Sequence, residues 1–324
     1  MKRRMAIHIG INKLSEHYVG AGYAPLRYCE SDAQDMKSIT NGFESFEHLE
    51  LIGKPTTKAV SEAITLAAKG SNFTNPKLKP LQVGDLLVVT FSGHGSETKD
   101  EDGIDLRDQT WCLWDRQLFD DELAQLWALF NKGVRILFIS DSCHSGTVVQ
   151  RFARLKALVR KIPFVNEVHH WLFNNLNEIS KDGSLHRRAS RRLIGGDRII
   201  EARYWDTYKS ILDGLRKYRE DNKIEKYTDL IQASIISISA CRDGESAIET
   251  DGNGVFTAAI KRLMGNGKTF KNYKEFFEEI IKDEILVTIK SQNPNFYPLE
   301  GLPKIDKDDL SDFIHNTKPF EVKD

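Results

Sequence analysis

No apolar run in this chain is long enough to cross a bilayer. The longest, around Ile231–Ala240, is interrupted by serines and falls well short of the roughly 20 residues a spanning helix needs. A secretory leader is not expected either. Met1-Lys2-Arg3-Arg4 has the basic start of one, but Met5 to Lys13 alternates and carries His8, Asn12 and Lys13, so no apolar core follows. Paired cysteines are missing too. Cys29, Cys112, Cys143 and Cys241 stand far apart without Cys-x-x-Cys spacing. That argues against a disulfide framework or a structural zinc site and for a soluble, cytoplasmic chain. Each cysteine taken alone reads as a small buried hydrophobe.

Net charge is nearly absent as well, with 46 Lys+Arg against 47 Asp+Glu over 324 residues. This balance is a cancellation. Residues 97–122 hold ten acids and three bases, a balance of −7, and residues 151–230 hold 18 bases and 11 acids, a balance of +7. Two opposed blocks in one chain call for an explanation. Nucleic-acid binding is not expected from the basic block, because its acids are numerous and its aromatics do not interleave as a stacking platform.

What is present is the 40% hydrophobic content of a folded protein. Strand-like runs occur at Ala6–Ile11, Leu49–Ile52, Asp85–Phe91, Arg135–Ser140 and Ser234–Ser239. Helical patterns lie at Ser31–Asn41, Thr56–Lys69 and Asp120–Asn131, then near Val255–Met264 and Lys274–Lys290. Strand and helix alternate, and the runs Leu86–Phe91 and Ile136–Ile139 are continuously apolar, as buried parallel strands are. The alternation stops after Gly146, where a basic, helix-prone stretch begins. We therefore expect one α/β domain in three parts: residues 1–147, an insertion at 148–230, and residues 231–324 with a loose acidic tail from Asp306.

Two strand ends share a layout. One run ends in Ser92-Gly93-His94-Gly95-Ser96 and another in Asp141-Ser142-Cys143-His144-Ser145-Gly146. In open parallel sheets, ligands bind outside the carboxyl ends of the strands. A cysteine and a histidine there suggest a thiolate nucleophile with an acid–base partner, and backbone N–H groups of Gly95 and Cys143 would serve a tetrahedral oxyanion. Alternation turns Asp141 to the same side as Cys143, and Ser92 to the side of His94. A carboxylate is thus carried to the nucleophile's side, where it would receive a cationic side chain. His144 diverges from Cys143 in direction and reads as a neighbour rather than the base. His169-His170 has no metal-ligand partner at helical spacing and reads as a solvated face.

These two motifs, 49 residues apart, resemble the catalytic motifs of metacaspases and the wider bacterial caspase-like cysteine proteases. The Gln-Ala-Cys motif of animal caspases is absent. Pro25–Ala33 resembles the family's first loop. Ile238–Asp243 and Gly254-Val255-Phe256-Thr257 resemble its small-subunit half. The resemblance implies a caspase–hemoglobinase-like α/β three-layer sandwich with a largely parallel six-stranded sheet, here with a long helical insertion. It implies His94 as general acid/base and Cys143 as nucleophile. It also implies a substrate pocket lined by Cys29, Asp32, Ser92 and Asp141 that takes Arg or Lys.

Many metacaspases are calcium-activated, and the resemblance carries Asp108, Asp120 and Asp121 to ligand positions. The loop after Asp115 is shorter than usual, however, and Gln150 stands where a further aspartate is expected. A solvated acidic loop with a helix cap at Asp120 is the competing reading. The basic insertion offers Arg188 and Arg192 for self-cleavage. It would otherwise cover the site or bind an activating ligand or an upstream protein. The expected partners are protein or peptide substrates with Arg or Lys at the cleavage site, and no membrane. Two alternatives stand beside a self-processing protease: a ligand- or partner-switched defence or cell-death effector that needs no calcium, and a non-catalytic binding module.

Overall fold

The computed structural model describes residues 2–18, 25–70, 79–99, 107–142, 217, 220–223, 227–242, 245, 247–250 and 252–322, with backbone alone at 17, 97–99, 107 and 108. In chain order the first half contains strand β1 (Arg4–Gly10), helix α1 (Cys29–Asn41), β2 (Phe46–Ile52), α2 (Thr57–Lys69) and β3 (Leu86–Ser92). It continues through β4 (Gly95–Lys99), β5 (Arg107–Cys112), β6 (Gln117–Phe119), α3 (Asp120–Trp127) and β7 (Arg135–Asp141). The second half has β8 (Ser234–Ser239), α4 (Val255–Gly265), α5 (Tyr273–Ile280), β9 (Asn295–Pro298) and α6 (Lys307–Asn316).

Six strands form one sheet in the order β2-β1-β3-β7-β8-β9. All pairings are parallel except β8 with β9. The expected, largely parallel six-stranded α/β sheet is therefore present. Its central strands β3, β7 and β8 are buried at every position, which is why the apolar runs of β3 and β7 do not alternate. The antiparallel edge β9 ends in Pro298, a residue an edge strand tolerates because no ladder donor is needed on its open side. From β1 the chain steps outward to β2 and then back across to β3. Right-handed crossovers then put α1 on one face and α2 and α3 on the other. The packing agrees: α1 lies against α4, and α2 against α3.

Local chemistry starts and stops these elements. Thr56 caps α2 by accepting from Ala59 N at 3.1 Å, and Asp115 takes both the N–H and the hydroxyl of Thr57 at 2.7 and 2.8 Å. Gly10 is required by space. A Cβ there would lie 2.5 Å from the Cys29 carbonyl oxygen, so glycine lets α1 begin directly against the end of β1. His8, in mid-strand, is fully buried with Nδ1 3.0 Å from Thr90 Oγ1. Burial, then the neighbouring charge of His48, holds its pKa down at about 3, so it is a neutral core residue.

Four expectations need correction. The described parts of the acidic block contribute to the three-stranded sheet β4-β5-β6, which Trp111 ties to the main sheet by stacking on Phe91 (4.4 Å between centroids, 9° between planes). Cutting Trp111 back to Ala would cost about 3–5 kcal/mol. Helix α3 is capped by Phe119 and begins at Asp120, so Asp120 is not the cap. The helix expected over Lys274–Lys290 stops at Ile280, because Asp283 pairs with Arg262 and accepts from Ile285 N and Leu286 N, turning the chain. The tail beyond Asp306 is ordered into α6, which buries Leu310, Phe313 and Ile314. Its acids Asp309 and Asp312 pair with Arg135.

Among the described residues no helix is long and apolar enough to cross a membrane. Cys29, Cys112 and Cys241 are free and buried.

Candidate active site

The two motif-bearing strand ends are neighbours. β3 and β7 pair directly, and their last residues, Ser92 and Asp141, are register partners. His94 and Cys143 each follow two residues later in sequence, so the residues that lead into both motifs are side by side at the carboxyl edge of the sheet. His94 is buried (6% exposed), and its carbonyl accepts from Cys112 N at 2.9 Å, which anchors the turn from β3 into β4. Gly95 opens β4 opposite Trp111. Cys143 lies outside the described residues, as do His144, Gln150, Arg188 and Arg192. The preceding residue, Ser142, is held by its hydroxyl 2.9 Å from Ser140 Oγ and by its carbonyl 3.2 Å from the Cys241 thiol.

Below these loops the structure brings Cys29, Asp32, Ser92 and Asp141 together. Ser92 Oγ donates to Asp32 Oδ2 at 2.7 Å. Asn253 Nδ2 and Gly254 N donate to Asp32 Oδ1 at 2.9 and 3.0 Å. Asp141 Oδ2 accepts from Thr257 N and Thr257 Oγ1 at 3.0 and 2.7 Å. A third carboxylate, Glu249, takes the N–H groups of Arg27 and Tyr28 at the start of α1, both at 3.0 Å, and faces the Cys29 thiol. Among the described residues no Lys or Arg pairs with Asp32, Asp141 or Glu249; Lys261 goes to Asp35 at 2.8 Å.

Unpaired buried acids resist ionisation. Burial raises the pKa of Asp141 well above the usual carboxylate range, and the neighbouring Asp32 raises it further. Burial raises Asp32 too, against the hydrogen bonds from Ser92, Asn253 and Gly254. Burial pushes the Cys29 thiol up, and Asp32, Glu249 and Asp141 add to the effect. Cys29 is therefore a protonated wall residue with no thiolate character. Chemically, the arrangement is a buried cluster of acids with no cationic partner among the described residues, at the strand ends that precede His94 and Cys143 in sequence.

Glu249, Asn253 and Thr257 have no assigned role in the sequence reading. The available signal was the run Asn253-Gly254 before the apolar pattern of α4, which marks a helix start whose free N–H groups point at the strand ends.

The calcium positions are only partly in view. Asp120 is buried, with one oxygen accepting from Asp121 N at 3.0 Å and the other from Gln109 N at 3.3 Å. The Asp108 side chain is outside the described residues. Among the described residues no group of three or more His, Cys, Asp or Glu is placed to hold a metal ion. Calcium takes six to eight oxygens; of the three expected ligand positions, only the side chains of Asp120 and Asp121 are among the described residues.

Comparison with known proteins adds a family signal. Residues 4–151 match the model of the metacaspase, peptidase C14 domain. Metacaspase-1 of Schizosaccharomyces pombe is 25% identical over 267 residues, covering 80% of this chain and 58% of that protein. Metacaspase-3 of Arabidopsis thaliana is 29% identical over 164 residues, covering 45% of this chain and 41% of that protein. The crystal structure of protein GSU0716 from Geobacter sulfurreducens superposes with a TM-score of 0.63 at 30% identity, covering 99% of this chain and 100% of that one. The chain spans a little over half the length of the first curated relatives it matches.

Proposed function

We propose, from the premise that this chain belongs to the metacaspase family of caspase-like cysteine peptidases, that it is an endopeptidase cleaving after Arg or Lys through Cys143 and His94. The observation that carries this reading is the pairing of Ser92 with Asp141 across β3 and β7. It supports the reading by bringing together, at one sheet edge, the strand ends that lead into the two motifs and a carboxylate with no cationic partner among the described residues.

In the proposed reaction the Cys143 thiolate attacks the scissile carbonyl carbon, and the carbonyl electron pair moves onto oxygen, facing the N–H groups of Gly95 and Cys143. Collapse of this intermediate expels the amine, which takes its proton from His94. Water then attacks the thioester as His94 accepts its proton, releasing the acid and restoring the thiolate. The substrate's guanidinium or ammonium sits against Asp141, in a frame that includes Cys29, Asp32 and Ser92. A cation there regains by pairing what it loses on leaving water, whereas an aspartate meets repulsion.

Gating is proposed to come from self-cleavage at Arg188 or Arg192 in the basic insertion, from calcium at Asp108, Asp120 and Asp121, or from an activating ligand or protein. The test is direct: assay purified protein with and without calcium on Arg-, Lys- and Asp-terminated fluorogenic peptides, and map self-cleavage by mass spectrometry. Cleavage after Arg or Lys, lost in Cys143→Ala, is the expected result. Normal cleavage by Cys143→Ala would sink the catalytic assignment, and cleavage after Asp alone would sink the pocket.

A further inference from the structure

The two buried aspartates are not equivalent. Asp32 is used on both oxygens: Oδ1 accepts from Asn253 Nδ2 (2.9 Å) and Gly254 N (3.0 Å), and Oδ2 accepts from Ser92 Oγ (2.7 Å) and again from Gly254 N (3.3 Å). Asn253 also reaches Asp35 at 2.7 Å, tying Asp32 to the next turn of α1. At Asp141 both donors converge on Oδ2, and both come from Thr257, in the first turn of α4. Oδ1 has no hydrogen-bond partner among the described residues, although the residue is 6% exposed. The approach is close. Gly254 has a φ of −61° that suits any residue, yet a Cβ there would lie 2.3 Å from Asp141 Oδ2.

Resting on the reading of this cluster as the site for a basic side chain, we propose that Thr257 is the positioning residue for that specificity. It holds Asp141 by Oδ2 and leaves Oδ1 as the one oxygen that meets the substrate's cation, while Asp32 is frame.

The chemistry follows from what surrounds Asp141. Asp32 and Cys29 face it from α1 and Glu249 from the segment before α4, all acidic or neutral. Burial and these neighbours favour the protonated carboxyl, and the two Thr257 hydrogen bonds favour the carboxylate. A protonated carboxyl offers a cation little. Thr257 therefore acts on recognition through the charge state and direction of Asp141, without touching the substrate.

The test compares wild type, Thr257→Val and Thr257→Ser on matched fluorogenic peptides ending in Arg or in its neutral isostere citrulline, from pH 5.5 to 8.5. Losing one hydrogen bond to a charged group predicts about a tenfold rise in KM for the Arg peptide at pH 7. kcat is expected to stay within about twofold. The acid limb of kcat/KM is expected to move up by about one pH unit. Citrulline cleavage is expected to stay unchanged, and Thr257→Ser to restore the wild-type profile. Should the Val variant fail to fold, Thr257→Ala carries the same prediction. An unchanged KM and acid limb in an Arg-cleaving enzyme overturns the role of Thr257 alone, as does a loss confined to kcat. A wild type that cleaves after neither Arg nor Lys overturns the underlying reading.

Discussion

Strand β7 carries a buried charge at each end, and the two are treated in opposite ways. Arg135 at its start is 8% exposed and Asp141 at its finish is 6% exposed. Arg135 donates to Asp309 Oδ1 through Nε and Nη2 at 3.1 and 2.8 Å, to Asp312 at 2.8 Å and to Thr317 Oγ1 at 3.0 Å. Burial alone would lower its pKa, but the two carboxylates outweigh burial and raise it. Asp141 has no cationic partner among the described residues and is set beside a second acid. A buried charge completed within the fold is a structural device, whereas one left incomplete is a candidate functional group. The division follows the sheet. The amino edge of the strands holds the completed charge, and the carboxyl edge holds the site proposed for chemistry.

The largest expected effect comes from erasing the incomplete end. Asp141→Asn should lower kcat/KM on Arg peptides by about a hundredfold or more and yet raise the melting temperature at pH 8. The sign follows from linkage. The pKa of Asp141 is raised in the fold, so between the ordinary carboxylate range and neutrality the folded state binds more protons than the unfolded chain. Its contribution to stability is present at low pH and lost as pH rises through that window. Melting curves from pH 4 to 8 should therefore slope less steeply in the variant. A variant that still prefers Arg over citrulline would break the contrast between the two ends.

Arg135→Met inverts this pattern. It strands Asp309 and Asp312 and is expected to cost about 3 kcal/mol in denaturant unfolding, with peptide turnover by the folded fraction unaltered. Adding Asp309→Asn and Asp312→Asn should return most of the loss, and failure of that rescue would remove compensation as the explanation. Gly254→Ala is intermediate and touches both properties. Its Cβ must displace Asp141, so a loss of about 1–3 kcal/mol in stability should accompany a higher KM. The smallest effect is expected at Asn272, which caps α5 through Glu275 N and donates to the His315 carbonyl of α6. Asn272→Ala should cost about 1 kcal/mol and leave cleavage untouched, which checks that mild loosening of the amino edge does not reach the carboxyl edge.

How much of this was legible depended on sequence distance. β3 and β7 announce themselves through the continuous apolar runs Leu86–Val89 and Ile136–Ile139, because strands buried on both faces are mostly apolar. The pairing of Ser92 with Asp141 follows once those strands are adjacent. The donors that shape the carboxylate cluster do not announce themselves. Thr257 reaches Asp141 across 116 residues and Gly254 reaches Asp32 across 222, and periodicity reports only on near neighbours. Charge misled in two places for one reason. Asp309 and Asp312 look solvated in a run of acids until Arg135 is seen beneath them. The acidic block conceals Trp111 and Leu118, which pull it into a sheet. Composition counts charges and does not say which of them meet.

The placement of β7 beside β8 has a consequence for the chain as a covalent object. These strands pair over six positions, although residues 142–233 lie between them in sequence. The entropy of closing such a connection grows only slowly with its length. A chain severed there would become two pieces that share a sheet, with Arg135 in one and Asp309 and Asp312 in the other. Their cohesion would then depend on dilution, and the carboxylate cluster would be built from both pieces, Asp32 and Asp141 from one and Thr257 from the other.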